Sequence, residues 1–242
     1  MSNLVIIPTY NEKENITAMV NTISKLPVAF DILIIDDSSP DGTGEIVKSL
    51  QPSFPGLNII ERKGKLGLGT AYIAGFKWAL EHNYDYIFEM DADFSHNPAD
   101  LVRLLDACEK GGADLAIGSR YISGVNVVNW PLGRVLMSYC ASIYVRFITG
   151  MKIKDTTAGF KCYRREVLHN IRPEHIRSVG YAFQIEMKFA AMKLGYKIVE
   201  IPIIFTDRKA GTSKMSGGIF SEAIWSVLRM KARSFFNSYE KI

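Results

Sequence analysis

Two features are missing from this 242-residue chain: long apolar runs and a disulfide framework. No segment approaches the ~20 consecutive apolar residues that a membrane-spanning helix needs, and the uncharged stretch 135–145 is bounded by Arg134 and Arg146. The three cysteines are widely spaced and odd in number, which indicates a reducing compartment without disulfide cross-links. The N-terminus has neither a basic segment nor a long apolar segment, so we expect no signal peptide.

Histidine-based chemistry is also poorly supported. The four histidines lack the spacing of a metal site, and no serine or cysteine nucleophile can be matched to any of them. We assign them to packing, together with the three tryptophans, of which Trp130 fits that assignment least well. The residues concerned are His82, His96, His169, His175, Trp78, Trp130 and Trp225.

Charge is unevenly placed along the chain, although the net charge of +4 is small. From Arg208 to the end there are seven basic and two acidic residues, whereas the remainder is close to neutral. A basic C-terminal segment favours an anionic substrate or an anionic membrane surface. We expect no nucleic-acid partner.

Short apolar runs alternate with amphipathic segments through the first half of the chain. This alternation is typical of a parallel, doubly wound α/β sheet with helices on its faces, and the 48% hydrophobic content suffices for a full core. In such sheets, ligands bind outside the carboxyl ends of the strands. The predicted strands are 4–7, 32–35, 57–60, 86–90 and 115–117.

The second half is less regular, and its C-terminal part predicts a separate amphipathic helix. A strand over 198–205 is interrupted by Pro202, which favours an edge position, and 208–218 is a polar loop. We expect a catalytic domain over 1–218 and a basic, membrane-interfacial helix over 219–242. The other helices predicted in this second half are 134–148 and 181–194.

The strongest chemical signal follows the predicted strand Tyr86–Met90. Asp91 and Asp93 come directly after it, one residue apart, and in a strand this spacing places both side chains on one side. Two converging carboxylates repel each other unless a divalent cation with oxygen ligands joins them. The sequence therefore predicts a metal–diphosphate site. The alternative is that Asp93 starts a turn and Asn97-Pro98 caps the next helix, which leaves Asp91 unexplained.

A second acidic pair, Asp36 and Asp37, follows the second predicted strand. It either caps the following turn or accepts hydrogen bonds from a nucleobase or ribose. The loop 63–69, rich in glycine and lysine, matches neither common phosphate-binding pattern. It is either an ordinary flexible loop or a lid in which Lys65 counters phosphate charge.

Four cations, Arg120, Arg134, Arg208 and Lys214, lie on predicted loops or loop edges. Each one taken alone fits a solvated surface charge. Together, near a diphosphate, they predict a site for a second anion.

These motifs resemble those of the family 2 glycosyltransferases with the GT-A fold, which is Rossmann-like. More specifically, the chain resembles the polyprenyl-phosphate (dolichyl-phosphate) mannosyltransferases, in their shorter type without C-terminal transmembrane helices. The resemblance covers nearly the whole chain. The first four blocks are shared by many family 2 enzymes, and the blocks GSRY, NWP, GYAFQIEM and DRKAGTSK narrow the resemblance to the polyprenyl-phosphate branch. The matching blocks are IIPTYNE 6–12, IDDSSPDGT 35–43, GLGTAY 67–72, MDADFSHNP 90–98, GSRY 118–121, NWPLGR 129–134, DTTAGFKCYRR 155–165, GYAFQIEM 180–187 and DRKAGTSK 207–214.

The resemblance implies transfer of mannose from GDP-mannose to a polyprenyl phosphate, with Mg²⁺ or Mn²⁺ as cofactor. It implies metal ligation by Asp91, Asp93 and Ser95. It implies binding of the acceptor phosphate by Arg120, Arg134 and Arg208, and catalytic roles for Asp93, Arg120 and Arg208. The implied donor-binding positions are Pro8, Tyr10, Glu12, Ile35, Asp37, Asp91, Ala92, Asp93, Arg208 and Lys214. The interpretation of loop 63–69 as a lid adds Lys65 to them.

A phosphate acceptor is already anionic near neutral pH, so the reaction needs no general base. Single displacement predicts inversion and a β-linked product. A family 2 enzyme that uses UDP-glucose or UDP-GlcNAc, with polyprenyl phosphate or a saccharide as acceptor, is the alternative. A non-catalytic nucleotide-binding subunit is the alternative from another class.

A lipid acceptor implies a membrane surface as partner. We expect a peripheral protein on the cytoplasmic side, with the segments 219–236 and 134–148 either at the lipid interface or packed on the sheet. Some members of the shorter type need a small membrane subunit, so such a partner is also an expectation here.

Overall fold

A single mixed sheet of seven strands organises the computed structural model, which describes residues 1–178, 180–207 and 218–235. The strand order is β3-β2-β1-β4-β7-β5-β8, and β6 pairs separately with β9. The strands are β1 (Asn3–Thr9), β2 (Asp31–Asp36), β3 (Leu57–Glu61), β4 (Tyr86–Glu89), β5 (Leu115–Ser119), β6 (Val127–Val128), β7 (Lys161–Arg164), β8 (Ile198–Pro202) and β9 (Phe205–Thr206).

Helices cover both faces of this sheet. They are α1 (Ile16–Ile23), α2 (Thr43–Leu50), α3 (Leu68–Glu81), α4 (Asp100–Glu109), α5 (Leu132–Thr149), α6 (Arg165–Ile171), α7 (Gly180–Lys193) and α8 (Gly218–Arg233). None of the helices formed by the described residues is long and apolar enough to cross a membrane. The predicted α/β class with a mainly parallel sheet is confirmed.

One strand runs against the others. β7 lies between β4 and β5 and is antiparallel to both, and the sequence reading assigned no element to it. Its four residues follow the loop 155–160 and lead directly into α6, so no turn signal separates strand from helix. The predicted edge position of the Pro202 strand is confirmed, because β8 pairs with β5 alone and ends at Pro202.

Alternation along the strands sends side chains into two apolar layers. Ile6 and Ile35 belong to the layer beneath α3 and α7, and Val5 and Ile34 belong to the layer beneath α1 and α4. Every one of these four side chains is fully buried. The core therefore fixes the sheet, and the parallel register aligns Thr9 with Asp36 at one edge.

The C-terminal helix α8 is docked onto the domain. Its Val227 and Met230 side chains are buried in the same layer as α7, and Ile224 accepts a hydrogen bond at 3.1 Å from the Tyr144 hydroxyl on α5. A division of the chain at 218/219 stays a prediction.

Candidate active site

The two aspartates of the DxD motif lie in a bend after β4. The strand ends at Glu89, and Phe94 has a left-handed φ of 58°. Strand periodicity therefore does not place Asp91 and Asp93 together, and that part of the reasoning was wrong. The bend itself holds Asp93, which is buried and accepts a hydrogen bond from the Ser95 N–H at 3.0 Å. The Asp91 side chain is 40% exposed at the mouth of the bend.

His96 packs beneath this bend and contacts it through a hydrogen bond from Asp91. Its ring stacks on Phe160 with centroids 4.9 Å apart and meets the edge of Phe205 at 5.2 Å. Burial lowers the pKa of His96 to about 4, so the ring is neutral near pH 7. Its Nδ1 accepts the backbone N–H of Asp91 at 3.4 Å. Packing explains His96 as the sequence predicted, but the contact with Asp91 was missed; its place inside the DxD block was the available signal.

The oxygen atoms in this bend fit a hard divalent cation. Asp91 and Asp93 provide carboxylates, and the Ser95 hydroxyl is buried with no hydrogen-bond partner among the described residues. Over the same residues, no group of three or more histidine, cysteine or acidic side chains forms a metal cage. Mg²⁺ binds typically through one or two carboxylates plus substrate phosphates. The donor set therefore suits a cation that a nucleotide diphosphate helps to hold.

Tyr72 reaches the same bend from α3. Its hydroxyl is buried and has no hydrogen-bond partner among the described residues. Burial raises its pKa well above the ordinary value, and the charges of Asp91, Glu89 and Asp93 raise it further. Tyr72 is therefore a neutral O–H donor close to these carboxylates.

At the end of β2, Asp36 and Asp37 have different roles. Asp36 accepts hydrogen bonds from the Thr9 hydroxyl at 2.9 Å and from the Ser39 N–H and hydroxyl at 2.9 and 2.6 Å. Asp36 therefore orders the turn, as the capping alternative predicted. Its neighbour Asp37 donates its N–H to the Thr9 carbonyl at 3.1 Å, and its carboxylate binds a different residue.

That partner is Arg62, which the sequence reading missed. The Asp37 Oδ1 atom lies 2.6 Å from Arg62 Nε and 2.5 Å from Nη2. The Arg62 Nη1 atom also donates to the Thr70 hydroxyl at 2.7 Å, which joins Asp37 to the first turn of α3. Both side chains of the ion pair are only 9% exposed, so Asp37 is held in one orientation beside the space outside the carboxyl ends of the strands, which we call the cleft.

The predicted lid loop contacts the first strand end. Lys65 Nζ lies 5.0 Å from the centroid of the Tyr10 ring, a cation–π contact. Glu12 donates its backbone N–H to the Thr43 hydroxyl at 3.0 Å. These contacts bring the predicted donor-binding residues Tyr10, Glu12 and Lys65 to one side of the cleft.

Three other predicted donor residues differ in accessibility. Ile35 is fully buried among core side chains, so its side chain does not reach the cleft and only its backbone is available. Its partner in the sheet register, Pro8, is partly exposed. Ala92 lies between the two aspartates and is 4% exposed.

On the opposite side of the cleft, Arg120 forms a buried ion pair. Its Nε and Nη2 atoms donate to Asp155 at 2.7 and 2.6 Å, and Nη2 also donates to the Thr157 hydroxyl at 2.8 Å. Burial raises the pKa of Asp155, but the charge and hydrogen bonds of Arg120 outweigh that effect and hold it below the ordinary value. The predicted contact of Arg120 with a phosphate stays a prediction, and Asp155 was missed.

Trp130 lies between two of the predicted phosphate-binding arginines. Arg134 is centred 4.0 Å from the Trp130 ring and Arg120 is 5.4 Å from it. Arg134 also donates to Asp207 at 3.0 Å. The structure thus brings Arg120 and Arg134 together around one ring. The other two predicted cations, Arg208 and Lys214, lie outside the described residues.

The model of glycosyl transferase family 2 matches residues 4–172. Polyprenol monophosphomannose synthase of Mycolicibacterium smegmatis is 48% identical over 225 residues, which are 93% of this chain and 84% of that protein. Undecaprenyl-phosphate mannosyltransferase of Micrococcus luteus is 46% identical over 229 residues, covering 95% of this chain and 93% of that protein.

Two solved structures share the fold. The Pyrobaculum calidifontis mannosyltransferase PcManGT, in complex with GDP-Man and Mn²⁺, is 17% identical with a TM-score of 0.55 over 95% of this chain and 72% of that one. S. aureus TarS in complex with UDP is 19% identical with a TM-score of 0.65 over 98% of this chain and 66% of that one. The predicted resemblance is confirmed: this chain belongs to glycosyl transferase family 2, among the relatives of the polyprenyl-phosphate mannosyltransferases.

Proposed function

We propose that this chain transfers mannose from GDP-mannose to a polyprenyl phosphate, with inversion and with a divalent cation. The observation that carries the proposal is the 48% identity to a polyprenol monophosphomannose synthase over 93% of this chain. The cleft supports it, because a carboxylate pair and an arginine pair border the same edge of the sheet.

The carboxylate side suits the donor. Asp37 is fixed by Arg62 at the end of β2, where it can accept N–H groups of guanine. Asp91, Asp93 and Ser95 form an oxygen-rich bend that fits Mg²⁺ or Mn²⁺ with a diphosphate. When bound, such a cation supplies Lewis-acid stabilisation of the charge that develops on the leaving diphosphate.

The arginine side suits the acceptor phosphate. Arg120 and Arg134 meet around Trp130, and guanidinium groups match the geometry of phosphate oxygens. The phosphate attacks as an anion, so the cleft has no need of a proton acceptor. Arg208 and Lys214 are proposed to add charge stabilisation to the diphosphate.

A lipid acceptor requires a membrane surface nearby, and α5 offers an apolar stripe. Leu136, Ile143 and Phe147 recur at helical spacing and are 54%, 47% and 86% exposed. Trp225 on the neighbouring α8 is 63% exposed. We propose peripheral attachment through this stripe, on the cytoplasmic side. A small membrane subunit stays a prediction.

Turnover of GDP-mannose, UDP-glucose and UDP-GlcNAc with undecaprenyl phosphate, with Mn²⁺ or Mg²⁺, tests the proposal. Chromatography of the lipid product is expected to show a mannosyl lipid from GDP-mannose alone. Reaction with only the UDP-sugars would transfer the assignment to the alternative donor class. Nucleotide binding without any turnover would identify a non-catalytic subunit.

A further inference from the structure

The turn 155–158 is held from two sides by alternate residues. Asp155 and Thr157 face Arg120 through their side chains, at 2.6 to 2.8 Å. The alternate residues Thr156 and Ala158 accept hydrogen bonds from Lys188 on α7 through their carbonyl groups, at 3.0 and 2.6 Å. The turn therefore connects a buried lysine to a buried arginine.

Lys188 is unusual because an ammonium group is rarely buried completely. Its side chain is 0% exposed, and its third hydrogen bond goes to the Gln184 carbonyl at 3.2 Å. All three ammonium N–H groups thus have carbonyl partners. Burial lowers the pKa of Lys188 well below its ordinary value, the nearby Lys161 charge lowers it further, and Asp155 and Glu89 oppose the shift. Burial of an ammonium group costs free energy, which indicates that Lys188 has a role in fixing the carbonyl groups that it contacts.

Other contacts of the turn agree with this reading. Glu200 on β8 accepts the N–H of Asp155 at 2.9 Å, which fixes the start of the turn. The Asp155 carboxylate is fully buried. A shift of the turn would therefore move this carboxylate away from Arg120. Two of the four carbonyl groups between Asp155 and Ala158 depend on Lys188.

We propose that Lys188 is a positioning residue for the acceptor phosphate, which orients Arg120 through the turn 155–158. This inference rests on the proposed function, because it assigns Arg120 to the acceptor. Lys188 itself touches neither substrate, and its effect reaches the cleft through the Asp155–Arg120 pair.

Steady-state kinetics of Lys188→Met with both substrates varied tests the proposal. A displaced Arg120 would lose a charge-assisted hydrogen bond to the acceptor phosphate, which is worth about tenfold or more in binding, so the KM for undecaprenyl phosphate is expected to rise about tenfold. The KM for GDP-mannose is expected to stay within about twofold. An equal change in both KM values, or a fall in kcat alone, would overturn the proposal. Lys193→Met, at an exposed position on the same helix, is the matched control and should match the unmodified protein.

Coupling to Arg120 gives a second measurement. Lys188→Met and Arg120→Lys act on one chain of contacts, so the double variant is expected to lose no more acceptor affinity than Arg120→Lys alone. Additive losses would contradict the connection. If Lys188→Met does not fold, Lys188→Gln retains two N–H donors and should show a smaller rise in acceptor KM. A folded Lys188→Gln with the original acceptor KM would also overturn the proposal.

A readout without turnover separates this inference from the proposed function. In a Trp78→Phe, Trp225→Phe background, iodide quenching reports on Trp130, whose ring lies 5.4 Å from Arg120. Lys188→Met is expected to change that quenching, and Lys193→Met is not. No change in quenching would refute the structural connection. Changed quenching with no mannosyl transfer by the unmodified protein would refute the function and leave the connection standing.

Discussion

The proposed donor half and the proposed acceptor half of the cleft are built in different ways. The donor half lies at the carboxyl ends of two strands on either side of β1, with Asp37 after β2 and Asp93 after β4. The acceptor half consists of Arg120, Trp130, Arg134 and the turn 155–158, which lie largely outside the regular strands. Arg120 directly follows β5, and its buried ion pair with Asp155 fixes this second half.

The difference concerns how charges are held. In the donor half, the Asp91 side chain is 40% exposed, and the buried Ser95 Oγ has no hydrogen-bond partner among the described residues. In the acceptor half, Arg120 already binds Asp155 and Thr157. We propose that the donor half receives a divalent cation, whereas the acceptor half holds its own cation, Arg120, in place. Five substitutions and one pH experiment test this account.

The largest effect is expected from Asp93→Asn. Removal of a charged metal ligand costs several kcal/mol of charge stabilisation in the transition state, or about 10²- to 10³-fold in kcat. Calorimetry should show much weaker Mn²⁺ binding in the presence of GDP, with an unchanged melting temperature. Asp106→Asn, on the exposed side of α4, is the control. Full activity of Asp93→Asn would remove the metal role.

Asp155→Asn should instead act on stability. It leaves the Arg120 guanidinium buried without its charge partner, at a cost of about 3–5 kcal/mol in the free energy of unfolding. Urea denaturation of this variant beside Asp106→Asn measures the loss. A change below about 1 kcal/mol, the range of an exposed pair, would contradict the role of Asp155 in holding Arg120.

The pH dependence of stability sharpens the same point. Although burial acts to raise the pKa of Asp155, the Arg120 pair holds it below its ordinary value of 3.8. The stabilisation is therefore fully present above pH 3.8 and is lost as the pH falls through the lower pKa of the folded state. Acid unfolding followed by circular dichroism should show this loss in the unmodified protein and not in Asp155→Asn. Identical acid profiles would contradict it.

The sequence predicted the donor half better than the acceptor half, for a physical reason. Strand ends in a parallel sheet meet at one edge, so Asp37 and Asp93 could be placed from the strand pattern alone. Arg62 and Asp155 could not be recognised, because each acts through a partner distant in sequence, 25 and 35 residues away. β7 was missed because it is short and joins α6 without a turn.

A moderate effect is expected from Arg62→Met in the donor half. The substitution frees Asp37 and the Thr70 hydroxyl, and loss of a charge-assisted hydrogen bond should raise the KM for GDP-mannose about tenfold. The acceptor KM should stay unchanged. Lys63→Met, on the adjacent loop, is the control. A rise in both KM values would show that the halves are not independent.

The smallest effect is expected at the surface of α5. Phe147 is 86% exposed, so Phe147→Ser should leave stability unchanged. Partial burial of its ring in lipid is worth about 1 kcal/mol, or roughly fivefold in binding to phosphatidylglycerol vesicles. Flotation measures the change, with Phe147→Leu as a control that retains apolar area. Equal flotation of all three proteins would exclude α5 as the attachment surface.

The most direct test of two separately built halves is the kinetics of Arg120→Lys with both substrates varied. Lysine keeps the charge but loses the planar fork that pairs with Asp155 and with phosphate. We predict that the KM for undecaprenyl phosphate rises about tenfold or more while the KM for GDP-mannose changes less than about twofold. A comparable rise in the KM for GDP-mannose would contradict the division of the cleft.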